Sequence, residues 1–331
     1  MKLAEQPYIS VHIYYNVIDL RPVLLECVDP LVERLTLEGL ISSYFFIRYW
    51  EGGAHVRLRL LPSAGADDAQ IRSIVDGAVG AFLEQRPSLF DPDPQIMAPL
   101  MRAMFVAEYG QEEYVRQFGA DGMIPIMDNN SFRYMPYFPE YGRYGGASGI
   151  ALAEEHFHLS SVIALELIGE SNSHVRTSIL GLAFQLMLYF VYSFFEDKAV
   201  VAGFFKRYAE FFSGVNVTQQ SQDAFEADFE RQSDRILSQV SQVEQIHRHL
   251  QLEDGGALSR YSRNASHMRD RIRELHGAGE LLLEPPTDSY QSACSRLLTS
   301  YVHMTNNRLG ILIREEVYMA NMIHRTLGGA L

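Results

Sequence analysis

The feature that most constrains the fold is a short strand in which two chemistries alternate. From His55 to Leu60, one set of positions holds Val56, Leu58 and Leu60 and the other holds His55, Arg57 and Arg59. Side chains alternate across a strand, so an apolar face lies opposite a face carrying two guanidiniums and an imidazole. The strand Tyr44 to Trp50 precedes it, and Glu51-Gly52-Gly53-Ala54 joins them. Paired glycines supply the positive backbone angles of a tight hairpin. Tyr8 to Tyr15 also alternates, with Ile9, Val11, Ile13 and Tyr15 on one face. These segments predict a small antiparallel sheet near the N-terminus.

Helical spacing takes over elsewhere. It spans Val23 to Leu35, Asp67 to Glu84, and most of Ile96 to Phe118, with a Pro/Asp-rich crossing from Pro87 to Pro94. Asn129 to Tyr144 is aromatic and irregular, with room for one strand. Ala147 to Ile168 places Ile150, Phe157, Ala164 and Leu167 on one stripe, and Phe225 to Leu250 repeats Phe229, Ile236, Val243 and Leu250 as a packing helix. Leu281 to Glu284 and Pro285-Pro286 set off a last helical region. Asp288 followed by Gln291 suits its start, and Gly310 its break. The fold class expected is α+β, a small antiparallel sheet near the N-terminus with a predominantly helical C-terminal half. Residues 1–331 read as a single domain, with an α+β part at 1–146 and a helical part at 147–331.

Composition narrows the function classes. A formal net charge of -13 repels phosphates, so nonspecific nucleic-acid binding is not expected. Two cysteines, Cys27 and Cys294, are too few for a disulfide framework or a zinc cluster and read as reduced core thiols. The start Met1-Lys2-Leu3-Ala4-Glu5-Gln6-Pro7 lacks the cationic and apolar pattern of a signal peptide. Ile179 to Phe195 is the most apolar stretch, slightly short for a bilayer span and better read as a buried helix. A cytoplasmic protein with no membrane partner is expected.

Three clusters have the chemistry of a site. The His55-Arg57-Arg59 face suits a carboxylate or oxyanion clamp, because arginine presents a planar fork of donors; it also suits a solvated edge or a salt-bridged surface, and spacing alone does not decide. Tyr141-Gly142-Arg143-Tyr144-Gly145-Gly146 precedes a helix whose N-terminus favours anions, or is an ordinary aromatic loop. In His303-Met304-Thr305-Asn306-Asn307-Arg308-Leu309-Gly310, His303 and Asn307 share a helix face. His303 is structural or a general acid or base. His156 with His158, and His247 with His249, are two apart on helices and point away from each other, so no metal site is expected. Arg260, Arg263, Arg269, Arg271 and Arg273 read as a solvated helix face or, as the minority reading, a dock for an acidic leader peptide.

Taken in order, the clusters resemble those of class I lanthipeptide dehydratase C-terminal domains and their thiopeptide-pathway relatives. Tyr44 to Leu60 is similar to the family's aromatic strand, Gly-rich turn and H-x-R-x-R strand. Pro139 to Gly146, with Ala153-Glu154 and Phe157, resembles its R-Y-G-G helix entry. His303-Met304 with Asn306 to Gly310 resembles its H-M-x-x-N-R-L motif. The likeness spans nearly the whole chain, but the stretch from about Ala64 to Asn130 is longer than in the dehydratases, where it could reshape the pocket or bind a peptide.

The resemblance implies an enzyme without metal or redox cofactor. Arg57, Arg59, Arg143 and His303 would be catalytic; His55, Tyr144, Asn307 and Arg308 would bind substrate. One implied activity is a lyase that eliminates glutamate from glutamylated Ser or Thr of a precursor peptide, leaving dehydroalanine or dehydrobutyrine. A separate glutamylation protein would complete this split dehydratase. The other activity is the thiopeptide cycloaddition that joins two dehydroalanines into a pyridine-type ring and releases the leader; the chain's standalone length favours it. A noncatalytic peptide-binding scaffold is the third expectation. The partner is a precursor peptide with its leader, and relatives suggest a homodimer.

Overall fold

The computed structural model describes residues 8–17, 19–91, 93–170, 172, 175–213, 231, 236–243 and 256–328. Met1 to Pro7, His247, His249 and most of the helix expected over Phe225 to Leu250 lie outside the described residues. Two compact units, Met1–Pro139 and Glu140–Leu331, make up the chain.

The first unit is built on a four-stranded antiparallel sheet. Strands β1 (Ile9–Tyr14), β2 (Ile41–Tyr49), β3 (His55–Pro62) and β4 (Ser131–Tyr134) lie in the order β2-β3-β1-β4. The alternation expected of the H-x-R-x-R strand holds, but β3 is an inner strand and not a solvated edge. Ile9, Val11, Ile13, Val56, Leu58 and Leu60 are all buried on one face. Burying each such side chain stabilises the fold by about 1.5–3 kcal/mol.

Helix α1 (Asp29–Leu37) follows a π-helical turn at Leu24–Val28, and α2 (Asp68–Gln85) is capped by Asp67, which accepts from Ala69 N at 2.9 Å. Tyr134 of β4 shares the apolar face with Val11 and ties α2 to the sheet by donating to Asp76 Oδ1 at 2.8 Å. Helices α3 (Pro94–Tyr109) and α4 (Gln111–Phe118) are split at Gly110, where the sequence had suggested nearly continuous helix. They have a small core of their own, in which Trp50 and Ile126 pack against Met101, Phe105, Tyr114 and Ile124.

The second unit contains α5 (Tyr141–Tyr144), α6 (Gly146–Glu170), α7 (Arg176–Phe194), α8 (Lys198–Ser213), α9 (Ala257–Gly277), α10 (Tyr290–Leu309) and α11 (Ile313–Gly328), and residues 236–243 are also helical. Among the described residues α7 alone is long and apolar enough to cross a membrane, yet most of it is buried inside the protein. Its Phe190 packs on Tyr261 of α9 and Tyr301 of α10. Helix α10 starts one residue later than Asp288 suggested, because the Ser289 hydroxyl accepts from Ser292 N at 3.2 Å. It ends at Gly310, as the sequence indicated.

Candidate functional site

In the first unit, the register sets Arg57 between Ile47 and His12, Arg59 between Phe45 and Ser10, and His55 between Tyr49 and Tyr14. Because β4 pairs with β1, Arg133 lies beside His12 on the side away from Arg57. The face opposite the apolar core therefore carries Arg57, Arg59, Arg133, His12, His55 and Ser10.

Arg57 is held from several directions. Its guanidinium lies 3.5 Å over the Tyr49 ring, its Nε donates to His55 Nε2 at 3.1 Å, and Glu51 stands 3.7 Å away. Because His55 Nε2 accepts that bond, its Nδ1–H donates to Gly53 O at 2.8 Å. His55 is thus a neutral imidazole. Burial, with Arg57 and Arg59 nearby, pushes its pKa down to about 3 even though the Gly53 bond acts the other way. Arg59 is 5% exposed and lies over the Tyr137 and Phe45 rings.

The long segment between α2 and β4 braces this arrangement. Tyr49 OH meets Tyr109 OH at 2.5 Å and donates to Glu108 at 3.1 Å, Trp50 Nε1 donates to Glu108 at 3.3 Å, and Met127 N donates to Gly52 O at 2.8 Å. The hairpin turn is held so closely that a Cβ at Gly53, whose φ is +109°, would meet Asn16 Oδ1 at 2.9 Å.

In the second unit, Arg143 sits on α5, directly before the Gly145 turn. Gly145 has φ +94°, and the segment at Leu282–Glu284 pairs with this turn through Leu282 N to Gly145 O at 2.9 Å and Glu284 N to Gly142 O at 2.8 Å. The glycines thus serve a tight turn and, in addition, a close approach of the Leu282–Glu284 segment. Arg143 Nε donates to Ser300 Oγ of α10 at 2.9 Å. Ser300 and His303 are three apart on that helix and share a face, so Arg143 is anchored one turn from the imidazole. Arg296 extends the same face; burial and then Arg143 lower its pKa.

His303 is oriented by a residue that the sequence reading missed. Its Nδ1 lies 3.1 and 3.2 Å from the two carboxylate oxygens of Glu316, which is wholly buried and also accepts from Tyr208 OH. A carboxylate only accepts, so Nδ1 carries a proton, and in the neutral ring Nε2 holds the lone pair. Among the described residues Nε2 has no hydrogen-bond partner, and the side chain is 20% exposed. Phe212 lies against the ring at 5.0 Å. An acid in the helix after the Gly310 break was the available signal for Glu316.

The remaining sequence candidates have other surroundings. Asn307 is half-buried on the His303 face. Arg308 is wholly buried, where it donates to Ser161 Oγ at 3.0 Å and Met304 O at 2.7 Å and lies over Phe157. Tyr144 packs between Phe157 and Tyr301. These contacts give Arg308 and Tyr144 a place in the interior. His156 bonds Asn264 at 2.7 Å, remote in sequence from His158. On α9, Arg263, Arg271 and Arg273 are exposed, as on a solvated helix face, whereas half-buried Arg260 pairs with Glu166 of α6 and half-buried Arg269 donates to Ser193 O of α7 at 3.1 Å. No group of His, Cys, Asp and Glu suited to a metal ion occurs among the described residues.

Residues 9–327 match the family described as lantibiotic biosynthesis dehydratase C-term. The chain belongs to this family. Membership makes it an enzyme of ribosomal-peptide modification, of the kind used in lantibiotic and thiopeptide biosynthesis. Among solved structures it is similar to the pyridine synthase TbtD from thiomuracin biosynthesis, with TM-score 0.77, 17% identity, and 98% of this chain and 100% of that one covered. It is also similar to TsrL, with TM-score 0.61, 16% identity and 97% and 94% covered. A third is the tRNA-dependent lantibiotic dehydratase MibB from Microbispora sp. 107891, with TM-score 0.53 and 19% identity, covering 99% of this chain but 28% of that one. At these identities the likeness is one of fold. The comparison with curated proteins gave no match.

Proposed function

We propose that this family member eliminates glutamate from glutamylated Ser or Thr of a precursor peptide in the cytoplasm, beside a separate glutamylation protein. The observation that carries this reading is the Glu316-held imidazole of His303, whose Nε2 has no hydrogen-bond partner among the described residues. In the proposed reaction Nε2 takes the α-proton. The Cα–H electrons form the Cα=Cβ bond, the Cβ–O bond breaks, and glutamate leaves as a carboxylate; His303 then returns the proton to solvent. The α-proton is weakly acidic, so charge developing on the enolate oxygen needs fixed donors. Arg57, Arg59 and Arg143 are the donors that the family resemblance implies for this chemistry.

A second reading, the ring-forming cycloaddition, has its own support in the end-to-end likeness to the pyridine synthase, whose whole length the chain covers. Incubation with a glutamylated peptide and with a dehydroalanine-containing peptide separates the two by mass. Elimination releases glutamate and leaves the leader attached. Cycloaddition acts on the second peptide and frees the leader. A protein that alters neither is neither enzyme.

A further inference from the structure

The sheet face in the first unit holds more polar groups than the H-x-R-x-R strand supplies. His12 is 6% exposed and its Nε2 has no hydrogen-bond partner among the described residues; Ser10 is 4% exposed and its Oγ has none among them either. A buried polar atom left unpaired is costly, so two on successive same-face positions of one strand call for a ligand. Both stand beside arginines: Ser10 is paired in register with Arg59, and His12 lies between Arg57 and Arg133.

Charge selects the ligand class. Arg57, Arg59 and Arg133 share this face, and among the described residues the carboxylate paired with Arg57 is Glu51, at 3.7 Å. Among the described residues Arg133 has no carboxylate partner; it lies over the Tyr14 ring at 5.6 Å. His12 is kept neutral by burial and by Arg59, Arg57, His55 and Arg133, so it adds a hydrogen-bonding group without a further charge. A planar anion with two acceptor atoms matches a face of guanidinium forks, a hydroxyl and an imidazole.

We propose that Ser10, His12 and Arg133 join Arg57 and Arg59 in a carboxylate-binding subsite, and that its ligand is the free carboxylate of the glutamyl group. This deepens the elimination reading and rests on it for the identity of the ligand. The subsite distinguishes a glutamyl ester from an uncharged acyl ester and retains the product until it dissociates.

Calorimetric titration of the intact protein with glutamate, glutamine and inorganic phosphate tests it without turnover. Glutamate should bind at least about tenfold more tightly than glutamine or phosphate, and Ser10→Ala, His12→Gln and Arg133→Gln should each weaken it about three- to tenfold. Ser10→Ala removes a single oxygen, so a circular dichroism spectrum like that of the wild type keeps the result interpretable. No glutamate binding, equal binding of glutamine or phosphate, or unchanged affinity in Ser10→Ala and His12→Gln would overturn the subsite. The two readings fail separately. If a glutamylated peptide is processed while these variants bind glutamate normally, only the subsite falls. If glutamate binds in a His12-dependent way while the glutamylated peptide is untouched, elimination falls and the carboxylate subsite stands.

Discussion

The Nδ1 of His303 and the carboxylate of Glu316 lie 3.1 Å apart, one on each side of the Gly310 turn. Glu316 has no exposure, so this contact fixes the tautomer of a half-buried imidazole from a site that solvent does not reach. A ligand-facing histidine held by a buried acid is a common way to present one ring nitrogen as a base.

Glu316→Gln retains the size of the side chain and removes its charge. The amide admits the wrong ring orientation, so turnover should fall about 10- to 1,000-fold, with a small change in KM. Single-turnover rates on glutamylated peptide, read beside thermal unfolding, check this. A variant that folds normally and turns over at the wild-type rate would remove Glu316 from the account.

Ser300 anchors the Arg143 Nε at 2.9 Å. Ser300→Ala deletes one charge-assisted bond, worth about 1.5–3 kcal/mol, so kcat/KM should drop about tenfold or more. Arg143→Lys should cost more, since an ammonium cannot reproduce a bidentate fork. Comparing kcat/KM across wild type, Ser300→Ala and Arg143→Lys gives the order expected.

Three buried imidazoles make stability depend on pH. Burial is the main reason that His12 titrates at about 2 and that His55 and His156 titrate at about 3. In the unfolded chain each titrates near 6.5, so between that pH and about 3 the unfolded state binds protons that the folded state does not. Stability is therefore lost as pH falls below 6.5, approaching about 1.4 kcal/mol per pH unit for each histidine, and is untouched by these groups above that pH. Urea unfolding at pH 7, 6 and 5 should show a shallower acid slope for His156→Gln than for wild type. Parallel slopes would contradict the assignment.

Gly145 adopts φ +94°, and a Cβ there would meet Leu281 Cδ1 at 2.5 Å. Leu281 can turn aside, so the backbone angle sets most of the cost. Gly145→Ala should destabilise the protein by about 1–2 kcal/mol, measurable by urea denaturation.

Local features were legible in the sequence because their physics is local. The period-two alternation marked β1 and β3 and separated Arg57 and Arg59 from Leu58. Gly145 marked the turn, and Gly310 marked the end of α10. What the sequence left open depends on which distant segments meet. Nothing near Arg143 names Ser300, 157 residues away. Nothing near His303 names Tyr208, which donates to the same Glu316. Alternation alone could not reveal that β3 is an inner strand, which is what buries His55 and Arg59. His12 was visible as a polar position opposite Ile9, Val11 and Ile13, but its significance appears only when strand order sets it between Arg57 and Arg133. The stretch from Ala64 to Asn130 showed its length in the sequence; that Glu108 and Tyr109 brace Tyr49 depends on a contact between segments some 60 residues apart.

The most direct test is glutamate release from a glutamylated precursor peptide, quantified per peptide for wild type and His303→Gln at matched protein concentration. The wild type should release one glutamate and form one new dehydroamino acid per event. His303→Gln should lose at least about 100-fold in rate while peptide binding is retained. Wild-type rates in His303→Gln, or leader release with no glutamate from the wild type, would contradict elimination by His303.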